Sequence, residues 1–134
     1  MRLLSELLGD VRVLKNIESN PPIQGLEYDS RKVKAGDCFF AVVGTASDGH
    51  DYIASAVEKG ARAIVCQRLP EQTNSEVAYI LVEDTDKAMA LIAANFYGNP
   101  SRKLKVVGVT GTNGKTTIAT LLYDLYRRMG HRVG

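Results

Sequence analysis

The stretch Val109–Gly134, "VTGTNGKTTIATLLYDLYRRMGHRVG", reads as a phosphate-gripping loop followed by one helix. Gly111 and Gly114 allow the backbone to fold so that successive N–H groups point inward at anionic oxygens. Lys115 has the reach to meet β- and γ-phosphates as a point charge, and Thr116 offers a hydroxyl to Mg²⁺. The helix that begins there turns its positive end toward the phosphates. Before the loop, "KLKVVGV" (103–109) predicts a strand, and after it "TTIATLLYDLYRRM" (116–129) predicts an amphipathic helix. The loop departs from the strict pattern G-x-x-x-x-G-K-[ST]. The position six before the lysine is Val109, and Gly108 stands one place too early. A strand before and a helix after still separate it from a turn that merely contains glycines.

Upstream, apolar runs of strand length alternate with helical periods. "CFFAVV" (38–43), "ARAIVCQ" (61–67) and "VAYILVE" (77–83) predict strands, the first two of the kind buried on both faces. "IQGLEY" carries a short strand, followed by a polar turn around Asp29, Ser30 and Arg31, where a local Asp29–Arg31 ion pair is expected. Leu3, Leu4, Leu7 and Leu8 fit one face of a starting helix closed by Gly9. "VRVLKNI" is ambiguous between strand and loop, and "SNPP" breaks the chain after it. Ile53, Ala56, Val57 and Gly60 predict a helix of about two turns. "DTDKAMALIAANFYG" predicts another, capped by Asp84 or Thr85 and lined by Met89, Ile92, Ala93 and Phe96. "GNPS" stops it. The alternation favours an α/β architecture with a largely parallel sheet.

The 134 residues are 45% hydrophobic and 24% charged, with a formal net charge of +2, an ordinary globular balance. That charge argues against nucleic acid as a partner. Arg127, Arg128, His131 and Arg132 read as a solvated helix end. No apolar run approaches the roughly 20 residues that span a bilayer, and "MRLLSELLGD" makes no convincing signal peptide. Cys38 and Cys66 lie in apolar runs and read as buried free thiols, with a reducing, cytoplasmic setting as the default. His50, in a Gly-containing loop before a helix, reads as a solvated or capping histidine.

The loop Thr110–Thr117 resembles the T-G-T-N-G-K-T-[TS] phosphate loop of the Mur ligases. The resemblance extends upstream, where "DSRKVKAGDCFFAVVGTASDGHDYIASAVEKGARAIV" is similar to the uridine-nucleotide domain of that family. "FYGNPSRKLKVVGVTGTNGKTT", with its Thr112–Asn113 pair, resembles the branch usually called MurE. That branch adds the third residue, meso-diaminopimelate or L-lysine, to UDP-N-acetylmuramoyl-L-alanyl-D-glutamate. The resemblance implies a small N-terminal UDP-binding α/β domain over residues 1–84. Residues 85–134 would then hold the first strand, phosphate loop and helix of a truncated central ATPase domain. Only 134 − 115 = 19 residues follow Lys115, so the chain is expected to be a fragment.

By the same resemblance, uridine-nucleotide contacts fall on Tyr28, Ser30, Thr45, Ala46 and Ser47. ATP falls on Gly111, Thr112, Asn113, Gly114, Lys115, Thr116 and Thr117, with Thr116 also on Mg²⁺. The family's reaction passes the γ-phosphoryl of ATP to the D-glutamyl carboxylate, and the incoming amine displaces phosphate from the acyl phosphate. The family's remaining catalytic residues would lie beyond Gly134, so ligation by these residues alone is not expected. Two other readings stay open: another amide ligase of the superfamily, and a non-catalytic UDP-sugar or nucleotide-binding module. The apolar face of the last helix, with Leu121, Leu122 and Leu125, needs cover.

Overall fold

A computed structural model describes residues 1–15, 19–45 and 47–134. The chain divides into two compact units, Met1–Pro100 and Ser101–Gly134. The division falls at "GNPS", the composition break. The division by family resemblance at residue 84 would place the helix 85–96 with the following part, whereas in this structure that helix packs within the first unit.

The first unit is built on a four-stranded sheet in the order β3-β4-β5-β6, from Gly25–Glu27, Asp37–Phe40, Ala63–Cys66 and Ala78–Leu81. All three pairings are parallel, with Glu27 opposite Phe39, Phe39 opposite Ile64 and Ile64 opposite Tyr79. A short antiparallel pair, β1 (Arg2–Leu3) with β2 (Pro22–Ile23), precedes the sheet. The helices are α1 (Leu4–Leu7), α2 (Ile53–Glu58) and α3 (Thr85–Phe96), and a 3₁₀ turn at Gly49–Tyr52 leads into α2. The sequence places Leu3 on the first helix; it instead ends β1 and is exposed, while Leu4 and Leu7 are buried.

Two-residue alternation sorts the continuous apolar runs into two cores. Cys38, Phe40, Ala63, Val65, Ala78 and Ile80 pack with Leu4 and Leu7 of α1 and with Ala88 and Ile92 of α3. Phe39, Ile64 and Cys66 face the other way and pack with Ile53 and Ala56 of α2. α1 and α3 are tied by Asn95, whose Nδ2 donates to the Leu7 carbonyl at 3.0 Å. Both cysteines are free and buried, as expected; burial pushes the Cys66 thiol up to about 11 and the Cys38 thiol higher still.

Helix boundaries follow local chemistry. Asp84 is the cap of α3, its Oδ1 accepting from the Lys87 N–H at 2.9 Å. Thr85, the other candidate, turns inward and is 1% exposed. The exits of α2 and α3 carry the paired Schellman bonds: Ala61 and Gly60 N–H donate to the Ala56 and Val57 carbonyls, and Asn99 and Gly98 N–H to those of Ala94 and Asn95.

In the second unit, α4 spans Lys115–Arg128. The strand expected over 103–109 is not formed: a 3₁₀ turn covers Pro100–Lys103, and 105–110 have no ladder partner among the described residues. The reason is physical, since a strand exists by pairing its N–H and C=O groups with a neighbour. Within this unit Leu121 and Leu125 of α4 are 64% and 51% exposed, so the cover their apolar face needs is not supplied there.

These contrasts set an expected outcome for urea unfolding. Ile92→Ala, which empties a fully buried position between α3 and the sheet, should cost about 2–5 kcal/mol. Leu121→Ala should stay within about 0.5 kcal/mol.

Candidate functional site

In a parallel sheet every strand ends at the same edge, and the polar loops that leave it converge there. Tyr28 and Ser30 follow the carboxyl end of β3, and Thr45 and Ser47 follow that of its neighbour β4. The fold therefore brings these four expected uridine-nucleotide residues to one edge. Ala46 lies outside the described residues, as do Asn16 and Ile17 of the ambiguous "VRVLKNI".

The turn after β3 is tightly specified. One Glu27 carboxylate oxygen accepts from the Tyr28 and Asp29 N–H groups at 2.9 and 3.0 Å. Asp29 accepts from the Arg31 N–H and from both Nε and Nη2 of its guanidinium, at 2.8–3.0 Å, which makes the expected local ion pair bidentate. The hydrogen bonds from Arg31 hold the Asp29 carboxyl down at about 2. From the end of α2, Lys59 Nζ donates to the Ser30 carbonyl at 2.7 Å. Tyr28 itself is 66% exposed, with its ring free to meet a ligand.

The loop after β4 folds back on itself. Gly44 N–H donates to the Ser47 carbonyl at 3.0 Å, Val43 pairs with Asp48, and Gly49 N–H donates to the Val42 carbonyl at 2.8 Å. Gly49 is needed for close approach: a Cβ there would sit 2.6 Å from the Val42 nitrogen. Asp48 caps the 3₁₀ turn through the His50 N–H at 2.9 Å, accepts from His50 Nδ1 at 2.6 Å and from Arg68 Nη2 at 2.5 Å. The His50 N–H bond, then the imidazole and Arg68, press its carboxyl far below the usual carboxylate range.

His50 is thus neither solvated nor the cap. Its side chain is 4% exposed, and its Nε2 accepts from the Gln67 N–H at 3.0 Å. Asp48, Lys59, Gln67 and Arg68 are absent from the sequence-read set. The Asp48-x-His50 spacing was a visible signal, but Gln67 and Arg68 follow directly after β5 and no local pattern announces them.

In the second unit, the phosphate loop stands at the start of α4. Gly114 occupies the N-cap position at φ 75°, a left-handed conformation that a side chain would strain, and gives the helix no side-chain cap. The first-turn N–H groups of Lys115, Thr116 and Thr117 therefore remain available to an anion. Lys115 Nζ folds back to the Gly111 carbonyl at 2.5 Å. Loop and first turn are solvent-exposed throughout 110–117. These groups fit a polyphosphate: free helix N–H donors, one cation and a glycine-only bend. No group of three or more His, Cys, Asp or Glu that could hold a metal occurs among the described residues. Mg²⁺ bound through phosphates and one hydroxyl needs no such cluster.

A parallel sheet with polar loops at its carboxyl edge, and a glycine–lysine–threonine loop opening a helix, define an α/β protein. The profile described as Mur ligase family, catalytic domain, matches residues 22–97, more than half of the chain. The chain belongs to the Mur ligase family. It is 55% identical over 115 residues to the UDP-N-acetylmuramoyl-L-alanyl-D-glutamate–2,6-diaminopimelate ligase of Parabacteroides distasonis, covering 86% of this chain and 24% of that protein. It is 52% identical over 133 residues to the enzyme of the same name from Bacteroides fragilis, covering 98% of this chain and 27% of that one. Among solved structures, the MurF ligase of Thermotoga maritima in complex with ADP matches with a TM-score of 0.59 at 36% identity, covering 78% of this chain and 23% of that one. The chain spans about a quarter of the length of the curated relatives it matches.

The Asp29 carboxyl gives a direct test. Its folded-state value lies below the ordinary one of 3.8, so the turn's stabilisation is fully present above about pH 4 and is lost as pH falls toward 2. Carboxyl ¹³C titration should place its midpoint near 2, and Arg31→Ala should return it toward the ordinary aspartate range.

Proposed function

We propose that this chain supplies the uridine-nucleotide-binding part and the phosphate loop of an ATP-dependent amide ligase. The reaction is addition of a third amino acid, meso-diaminopimelate or L-lysine, to UDP-N-acetylmuramoyl-L-alanyl-D-glutamate. This is a cytoplasmic step of peptidoglycan precursor synthesis. The observation that supports it most is the 52% identity to a diaminopimelate ligase over 98% of the chain, spanning both the sheet-edge loops and the phosphate loop. In the family's division, residues 1–84 serve the UDP substrate and residues 85–134 begin the ATP-binding part.

The roles follow from each unit's chemistry. Tyr28 offers an exposed ring to stack on uracil, and Ser30, held through its carbonyl by Lys59, offers its hydroxyl as donor or acceptor. Thr45 and Ser47 offer hydroxyls and backbone N–H groups to the diphosphate, and Ala46 between them belongs to the same proposed contact. On the second unit, the N–H groups of Gly111–Thr117 hold the phosphates of ATP, and Lys115 leaves the Gly111 carbonyl to neutralise them. Thr116 contributes one oxygen to Mg²⁺. ATP supplies the phosphoryl group that activates the D-glutamyl carboxylate as an acyl phosphate, from which the amine of the incoming amino acid displaces phosphate. The protein's share in such a transfer is positioning and electrostatics.

Calorimetric titration tests the two halves separately. UDP-N-acetylmuramoyl-L-alanyl-D-glutamate should bind saturably. Ser30→Ala should weaken it by about 1 kcal/mol, roughly fivefold in Kd. Lys115→Ala should leave that binding unchanged and abolish any heat from Mg-ATP. Tight Mg-ATP binding with no response to the UDP ligand would instead favour a self-contained nucleotide module.

A further inference from the structure

His50 is a buried polar side chain at the sheet edge. Its imidazole is 4% exposed and bonded at both nitrogens: Nδ1 to the Asp48 carboxylate at 2.6 Å, and Nε2 to the Gln67 N–H at 3.0 Å. A backbone N–H can only donate, so Nε2 is the acceptor and the proton sits on Nδ1, facing Asp48. The ring therefore joins the loop after β4 to the carboxyl end of β5, and does so only as the neutral Nδ1–H tautomer. That loop carries Thr45 and Ser47.

We propose that His50 is a positioning residue of the uridine-nucleotide site, a latch whose neutral form holds Thr45 and Ser47 in place for binding and whose protonation breaks that hold at the Gln67 N–H. The inference rests on the reading of that edge as the UDP site.

The charged and titratable groups facing the ring decide the direction. Asp48 lies on its own loop, and Arg68 reaches the same carboxylate from the end of β5. Gln67, the other partner, is itself tied to the end of β6 through its Nε2 on the Glu83 carbonyl at 3.1 Å, and the Glu83 carboxylate is paired with Arg12. Protonation strengthens the attraction to Asp48, so that end of the ring stays. At the other end it sets an Nε2–H against the Gln67 N–H, and against the Arg68 N–H that faces the same nitrogen at 3.4 Å. The bond to β5 is the one that breaks. The loop then keeps its Asp48 cap and the Asp48–Arg68 pair, and loses the imidazole's tie to the Gln67 N–H. Asp48 cannot substitute as the switch, since it stays ionised far below the pH range in which an imidazole titrates.

Two measurements on the whole chain test this. In the first, without ligand, the His50 ring and the Gln67 amide are followed by ¹⁵N NMR between pH 8 and 5.5. The Gln67 amide should titrate with the His50 ring, and the ring should show the Nδ1–H tautomer at pH 8. In the second, Kd for UDP-N-acetylmuramoyl-L-alanyl-D-glutamate is measured over the same range. With only neutral His50 competent, Kd should rise about tenfold per pH unit below the ring's titration. His50→Gln, which keeps an acceptor for Gln67 and cannot be protonated, should bind with a flat profile, and His131→Gln should keep the wild-type slope. A Gln67 amide indifferent to the ring, a flat wild-type profile, or a wild-type slope in His50→Gln would each overturn the proposal. If the Gln67 amide follows the ring but the UDP ligand does not bind at any pH, the site reading fails and the positioning role fails with it, leaving a structural latch.

Discussion

Burial on both faces of β4 and β5 is the constraint on which the first unit depends. Phe39 and Phe40 are each 1% exposed, and Ala63, Ile64, Val65 and Cys66 are all 0%. A strand with no solvated side cannot carry polar chemistry along its length. It also demands helices above and below, which α1, α3 and α2 provide. Polar function is left the loops at the strand ends. Because all the pairings are parallel, the loops leaving β3, β4 and β5 meet at one edge.

At that edge, order comes from side-chain-to-backbone bonds that cross between loops. Glu27 and Asp29 shape the turn after β3, and Lys59 holds it from α2. Asp48, His50 and Gln67 join the loop after β4 to the end of β5. Tyr28, Ser30, Thr45 and Ser47, which we propose meet the ligand, are thus placed by neighbours that do not themselves need to touch it. The phosphate loop works differently. Its glycines and uncapped helix start leave donors open, with the Lys115 amine on the Gly111 carbonyl.

Much of this was legible in the sequence because it is local. Continuous apolar runs marked β4, β5 and β6, the helical period marked α2, α3 and α4, and the Asp29-Ser30-Arg31 turn carried its own ion pair. What was not legible depends on partners distant in the chain. The stretch 103–109 has the composition of a strand but no neighbour to pair with among the described residues, so it forms none. His50 looked like a surface residue because the Gln67 N–H that buries its ring lies 17 residues away. The Lys59 bond to Ser30 spans 29 residues and has no sequence signature.

The central claim is that the carboxyl edge of the parallel sheet is the uridine-nucleotide site. Backbone amide shifts of the whole chain, recorded as UDP-N-acetylmuramoyl-L-alanyl-D-glutamate is added, test it most directly. The account predicts saturable changes concentrated in Tyr28–Arg31, Gly44–His50 and Gln67–Arg68, with α4 unmoved. Changes centred instead on the groove lined by Ile53, Pro70 and Tyr79, or no saturable change at the edge, would contradict it.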